Sequence, residues 1–311
     1  MSLAEFNREI TEIRTDRIRG ASELARRCLS ILAEAARALS VEDAAELRER
    51  LLDLSTQLAE TRPSMAPVQN LLHRWQEASG IDTDTDLATA RRVTADRANA
   101  LIVASQRAMT DCAIHTARLL GADRTVMTHS LSSTVLEVFR LLKSDGLRAI
   151  ITESRPLEEG RQLAERLSAW GVPATYITDA QMGLFIAQAD AVLVGADSVL
   201  TDGAVVNKAG TYLLALAAKE REIPFYVCCE SFKRCGTDAS PPELEEMACA
   251  ELGVPGWPGV TVRNVYFDIT PTRLVSTWID ETGVHRPNAG QQKTRPLGTG
   301  TGPDATSSLS L

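Results

Sequence analysis

The spacing of apolar positions along the chain changes once, near residue 121. Upstream of that point apolar residues recur at helical intervals. After Gly20, the positions Leu24, Ala25, Cys28, Leu29, Ile31 and Leu32 mark one face of a helix. Ser40 stands as the N-cap of a second helix, with Asp43 three residues on as a short capping-box partner. Leu47, Leu51, Leu52 and Leu58 carry that helix to a stop at Arg62-Pro63. Ser64 is placed to cap a third helix, which bears Val68, Leu71, Leu72 and Trp75 and ends at Gly80. Over 84–120 an alanine-rich pattern predicts one long helix, closed by Gly121.

Downstream the pattern switches to short apolar runs, at 125–128, 149–152, 174–177, 191–194, 225–228 and 262–267. Helical patterns at 134–142, 156–170 and 211–221 separate most of them. Strands alternating with helices predict crossover connections and a parallel sheet buried on both faces, an α/β fold. The expected organisation is a helical N-terminal domain over 1–120, a sheet-containing ligand-binding domain over 121–286 and a disordered tail over 287–311. The tail contains GTGTGPDATSSLS, which offers almost nothing to bury.

Composition narrows the class. The chain has 311 residues, 44% of them hydrophobic and 24% charged, which is enough apolar material for a sizeable core. A net charge of −8 argues against a general nucleic-acid or anionic-membrane surface. No apolar run approaches the ~18 residues of a membrane span. The charged first twenty residues lack the apolar centre of a signal peptide, so the expected compartment is the cytoplasm. Six cysteines without CxxC spacing, beside four histidines, predict free thiols rather than a metal site, and no cofactor is expected.

The candidate chemistry gathers where strands end. The run 190–219 joins a short apolar strand to Gly195-Ala196-Asp197, then places Asn207-Lys208 before Gly210 and a helix start. Ligands of open parallel sheets sit beyond the carboxyl ends of the strands, and helix N-termini attract anions. Every predicted strand is followed by polar residues: His129 and Ser130, Ser154 and Arg155, Asp179, Asp197, Glu230, and Asp268. Arg155, Arg161, Lys208 and Lys233 supply cations, and Ser130, Ser132 and Ser133 supply hydroxyl donors. That combination suits a phosphorylated ligand. For Arg155 and Arg161 the competing reading is a pair of surface charges bridged to Glu158 or Glu165.

Four stretches, GADSVLTDGAVVNKAGTYLLALAAK, ITESRPLEEGR, VMTHSLSSTVL and YFDITPTRLVSTWIDETG, carry a family resemblance. They resemble the family that unites the alpha, beta and delta subunits of translation initiation factor 2B with isomerases of methylthioribose-1-phosphate and ribose-1,5-bisphosphate. The resemblance implies a helical domain packed on a Rossmann-like domain, a homodimer or larger homo-oligomer, and a pocket between the domains. It implies a phosphorylated sugar or nucleotide as ligand; direct nucleic-acid or membrane contact is not expected, on the net charge of −8 and the lack of a long apolar run. By the same resemblance, Asp197 matches the family's catalytic aspartate, and Asn207 and Lys208 match its substrate-binding pair. Arg19, Gly20, Ala21, Arg62, Arg155 and Arg161 match positions around phosphate and sugar oxygens.

One position departs from the isomerase pattern: Ser130 stands where those enzymes carry a reactive cysteine. A thiol near pKa ~8.5 is tuned toward thiolate by nearby cations, whereas a serine hydroxyl needs a dedicated base. His129 adjoins Ser130, but neighbours along a strand point to opposite faces. Two functions therefore stand at this point. One is an aldose–ketose isomerase of a ribose-1-phosphate-type substrate, with Asp197 as acid/base. The other is a non-catalytic regulatory subunit or sensor that binds a sugar phosphate or nucleotide.

Overall fold

A computed structural model describes residues 3–78, 85–236 and 244–286. Gly80, the expected stop of the third helix, and the expected tail over 287–311 lie outside the described residues. Five helices open the chain: α1 (Asn7–Thr15), α2 (Ala21–Ala38), α3 (Ala44–Ala59), α4 (Ala66–Ala78) and α5 (Leu87–Leu120). Then follow β1 (Thr125–Thr128), α6 (Ser133–Leu142), β2 (Arg148–Thr152), α7 (Glu159–Ala169), β3 (Ala174–Ile177), the single turn α8 (Met182–Phe185) and β4 (Ala191–Val194). The chain continues through β5 (Ser198–Val199), β6 (Val205–Lys208), α9 (Thr211–Glu220), β7 (Phe225–Cys228), β8 (Phe267–Thr270), β9 (Thr277–Asp280) and β10 (Gly283–His285). Among the described residues, no helix is long and apolar enough to cross a membrane.

The main sheet runs β10-β9-β7-β4-β1-β2-β3, parallel except for β10. Its six parallel strands therefore lie in the 3-2-1-4-5-6 order of a dinucleotide-binding α/β fold. The order reverses between β1 and β4. Crossover helices cover both faces, so β4 is buried along its whole length, as its unbroken apolar run requires. A second sheet, β5-β6-β8, is antiparallel and packs through Val206 and Phe267 on the helical core.

Packing across that core follows from residue size. Ala90, Ala98, Ser105 and Ala108 form a buried line of small side chains on the first two-thirds of α5. That line lets the broad apolar face of α2 (Leu24, Leu29, Ile31 and Leu32) approach closely. With 34 residues, α5 is about 51 Å long at 1.5 Å per residue. Its first half belongs to the core built on α2, while Cys112, Ala113 and Leu120 join the core around β1 and α6.

Several boundaries differ from the sequence reading. The N-cap of α3 is Asp43 rather than Ser40: its carboxylate accepts the Glu46 N–H at 2.8 Å, and Glu46 accepts the Glu42 N–H at 2.9 Å. The capping exchange is therefore made three residues later. Ser64 lies two residues before α4, and its Oγ accepts the Glu245 N–H at 3.2 Å. The sixth expected strand, 262–267, is displaced to Phe267–Thr270 and belongs to the antiparallel sheet. Asp268 consequently lies within a strand and caps α9, accepting the Gly210 N–H at 2.7 Å. Asn207 and Lys208 also lie in a strand, β6, rather than at a helix start.

Gly160, at the start of α7, packs directly on the end of β2: a Cβ there would lie 1.8 Å from the Thr152 carbonyl oxygen. Backbone cannot retreat from such a contact without moving α7. Gly160→Ala is expected to destabilise the chain by about 1–3 kcal/mol, the usual cost of overpacking. A fall in the urea-unfolding midpoint at unchanged slope measures it.

Candidate functional site

The reversal of strand order separates the loops that leave β1 and β4, and the cleft opens there. Ser130 and Ser132 line it from the β1 side, and Ala196 and Asp197 from the β4 side. Asn207 and Lys208 reach it from β6, and Arg19, Gly20, Ala21 and Arg62 close it from the helical part. Two glycines make the approach possible. A Cβ on Gly195 would lie 2.4 Å from Ser132 Oγ, and one on Gly210 would lie 2.8 Å from His129 Nε2. Gly210 also has φ +112°, a conformation that side chains disfavour.

His129 is locked rather than reactive. Its Nε2 lies 2.9 Å from the Ala209 carbonyl, which can only accept, so Nε2 carries the proton. Its Nδ1 then accepts from Thr152 Oγ1 at 2.6 Å. Burial lowers its pKa, which keeps the ring neutral. Ser130 sits at φ +67°, its N–H donating to Ser154 Oγ at 2.7 Å. Its hydroxyl points at Glu159, with Oγ 3.4 Å from Oε2.

Asp197 is half-buried on the cleft wall. Among the described residues its carboxylate neither accepts a hydrogen bond nor joins an ion pair. Burial pushes its pKa up to about 6, against the opposing pull of Lys233, Lys208 and Arg62. The cations are otherwise engaged. Lys208 Nζ lies 2.7 Å from Glu159 Oε1 and 4.2 Å from the centre of the Tyr266 ring. Arg62 bonds to Glu245 at 3.0 Å and to the Asp16 carbonyl at 3.0 Å. Lys233, 3.6 Å from Glu230, is buried; burial works to lower its pKa, but the carboxylates around it raise it overall. Arg19 holds Glu12 and Asp16, both at 2.8 Å.

Arg155 and Arg161 stand apart from this group. Neither lines the cleft; Arg155 bonds to Glu158 at 3.3 Å, and Arg161 also bonds to Glu158. Arg155 lies in the loop before α7 and Arg161 on the outer side of its first turn, and both are exposed. The geometry thus matches the surface-charge reading of these two residues. Helix N-termini, by contrast, do converge. The first turns of α2 at Ala21 and of α6 at Ser133 both face the cleft, with backbone N–H groups lacking intrahelical partners. Ser132 caps α6, its Oγ accepting the Val135 N–H at 3.4 Å.

Sequence reasoning gave no role to Glu159 or Tyr266, which both line the cleft. Glu159 lies inside ITESRPLEEGR, but nothing in the local pattern tells which of Glu158 and Glu159 turns inward. Tyr266 was legible only as an apolar position.

The strand order and the crevice at its reversal define an α/β protein of Rossmann type. More particularly, the chain belongs to the initiation factor 2 subunit family, which it matches over residues 17–287. It is 38% identical to a protein of Pyrococcus abyssi named as eIF-2B subunit 2-like, over 88% of this chain and 94% of that one. It is 33% identical to the ribose 1,5-bisphosphate isomerase of Haloferax volcanii, over 92% and 90% of the two chains. Its fold superposes on the crystal structure of the Pyrococcus horikoshii translation initiation factor eIF-2B with a TM-score of 0.79, at 36% identity, covering 92% and 97% of the chains.

The raised pKa of Asp197 has a sign that stability measurements can read. The group titrates near 3.8 when unfolded and at about 6 when folded, so between those values the native state holds more protons. Stability contributed by Asp197 is therefore lost as pH rises from 4 through 6. Asp197→Asn is expected to stabilise the chain at pH 8 by about 1–2 kcal/mol, with no gain at pH 4. Urea unfolding at the two pH values checks this.

Proposed function

We infer that the cleft binds a phosphorylated pentose and that the chain is an aldose–ketose isomerase of a ribose-1-phosphate-type substrate. The observation that carries this reading is Asp197: a carboxylate at the strand-order reversal, unpaired among the described residues, with a pKa of about 6. A general acid/base works best when its pKa lies near the operating pH. The phosphoryl group fits the N-termini of α2 and α6, with the Ser133 hydroxyl and Arg19 beside them. Asn207, Lys208 and Asp197 then face the sugar. A sugar with phosphate on its anomeric oxygen cannot open by simple loss of a hydroxyl proton. Its ring oxygen must gain a proton, a hydrogen must pass from C2 to C1, and the C2 hydroxyl must lose its proton. Asp197 is the group for the last of these steps.

Ser130 favours the second reading, a regulatory subunit or sensor that binds the same ligand without turnover. His129 is neutral with its Nδ1 held by Thr152, and it offers Ser130 no base. The relatives named as eIF-2B subunits point the same way. For either role we favour a cytoplasmic homo-oligomer. Six free cysteines suit a reducing compartment, and Leu213 and Leu216 on α9 are 64% and 39% exposed, an apolar pair available to a second copy.

The test is a thermal-shift screen with pentose 1-phosphates, pentose bisphosphates and nucleoside monophosphates, followed by proton NMR for conversion. A pentose phosphate is expected to stabilise the chain and to be converted. Asp197→Asn should keep the stabilisation and abolish conversion, and equal conversion by variant and wild type would remove Asp197 from the chemistry. Stabilisation without conversion selects the regulatory reading. Ser130→Ala is expected to change ligand affinity less than threefold by calorimetry.

A further inference from the structure

The charge inside the cleft is not uniform. The first turns of α2 and α6 present N–H groups, which carry partial positive charge. Lys208 also lines the cleft; its side chain is only 6% exposed, and its ammonium is already matched by Glu159, itself 14% exposed, at 2.7 Å. The Tyr266 ring covers another side of the same ammonium at 4.2 Å, and the Phe267 ring lies at 5.8 Å. Lys233, the next cation inward, is likewise matched by Glu230.

We propose that Glu159 is a specificity-determining residue: its carboxylate occupies the anion position at Lys208, so the cleft takes a sugar with one phosphoryl group and rejects a bisphosphate. This rests on the reading of the cleft as a sugar-phosphate site. A phosphoryl oxygen bonded to the Lys208 ammonium would lie within about 5 Å of the Glu159 carboxylate, where like charges repel strongly in a partly desolvated site. A hydroxyl meets no such penalty. Lys208 has N–H groups left to donate to a hydroxyl oxygen, and Glu159 accepts a hydroxyl proton in return. The pair is therefore built for the neutral polyol end of a sugar. The contact between Gly160 and the Thr152 carbonyl fixes the backbone at the start of α7 and so keeps Glu159 at the cleft wall.

Calorimetry on the full chain with ribose 1-phosphate and ribose 1,5-bisphosphate tests this. Wild type is expected to bind the monophosphate at least tenfold more tightly. Glu159→Gln, which keeps the shape and removes the charge, should tighten bisphosphate binding at least tenfold while changing the monophosphate less than threefold. A wild-type ratio near one, or in favour of the bisphosphate, overturns the proposal without any variant. So does a Glu159→Gln variant, folded by circular dichroism, that leaves the ratio unchanged. In both cases the sugar-phosphate reading stands. Failure of both ligands to bind wild type and variant instead overturns that reading and this proposal with it.

Discussion

The reversal of strand order between β1 and β4 is the constraint on which the rest of the molecule depends. Neighbouring strands whose crossovers leave in opposite directions cannot cover the gap between their own carboxyl ends. A crevice is the result, and its walls are whatever residues follow β1 and β4. Here those residues are Ser130 to Ser133 on one side and Gly195 to Asp197 on the other. The crevice stays narrow because Gly195 passes against Ser132 and Gly210 against His129, at distances that a larger residue would not permit. The helical part and the small antiparallel sheet then close the remaining sides, bringing Arg62, Lys208 and Tyr266 to the same space.

Charge follows from that enclosure. A cation withdrawn from water needs a partner, and the chain supplies one for each: Glu159 for Lys208, Glu245 for Arg62, Glu230 for Lys233. A cleft rich in cations is therefore much less positive than its list of lysines and arginines suggests. Asp197 is treated differently. With no hydrogen bond or ion pair among the described residues, it bears the cost of burial directly, and its raised pKa is the consequence. Groups held at such a cost in a crevice are the ones best suited to exchange protons with a ligand. His129 shows the opposite arrangement: both ring nitrogens are engaged, and its role is to join β1 to β2 and to the loop before α9.

Much of this architecture was legible in the chain. The runs 125–128, 191–194 and 225–228 coincide with β1, β4 and β7, because strands buried on both faces are dominated by apolar residues. The run 174–177 coincides with β3, an edge strand exposed over its first three residues. The helices α2 and α5 were equally plain from their periodicity. Less legible were β6 and β8, whose residues lie at the joint between the helical part and the antiparallel sheet. Asn207 and Lys208 read as polar helix-start residues because the strand Val-Val-Asn-Lys is short and shows no apolar–polar alternation. The cap at Asp43 was misplaced for a similar local reason: Ser40 and Asp43 are both competent caps, and the geometry of the preceding turn chose between them.

The sequence alone determined the fold class and the family, since these rest on local periodicity and on contiguous motifs. Tertiary structure decided which charges meet. Arg155 and Arg161 lie in the same motif as Glu159, yet both turn outward to Glu158 while Glu159 turns inward to Lys208, 49 positions further along the chain. Pairing of that kind depends on where α7 starts and on how β6 is brought across the crevice. No spacing along the chain encodes it, because a buried ion pair is chosen by proximity in space and by the water that packing has removed.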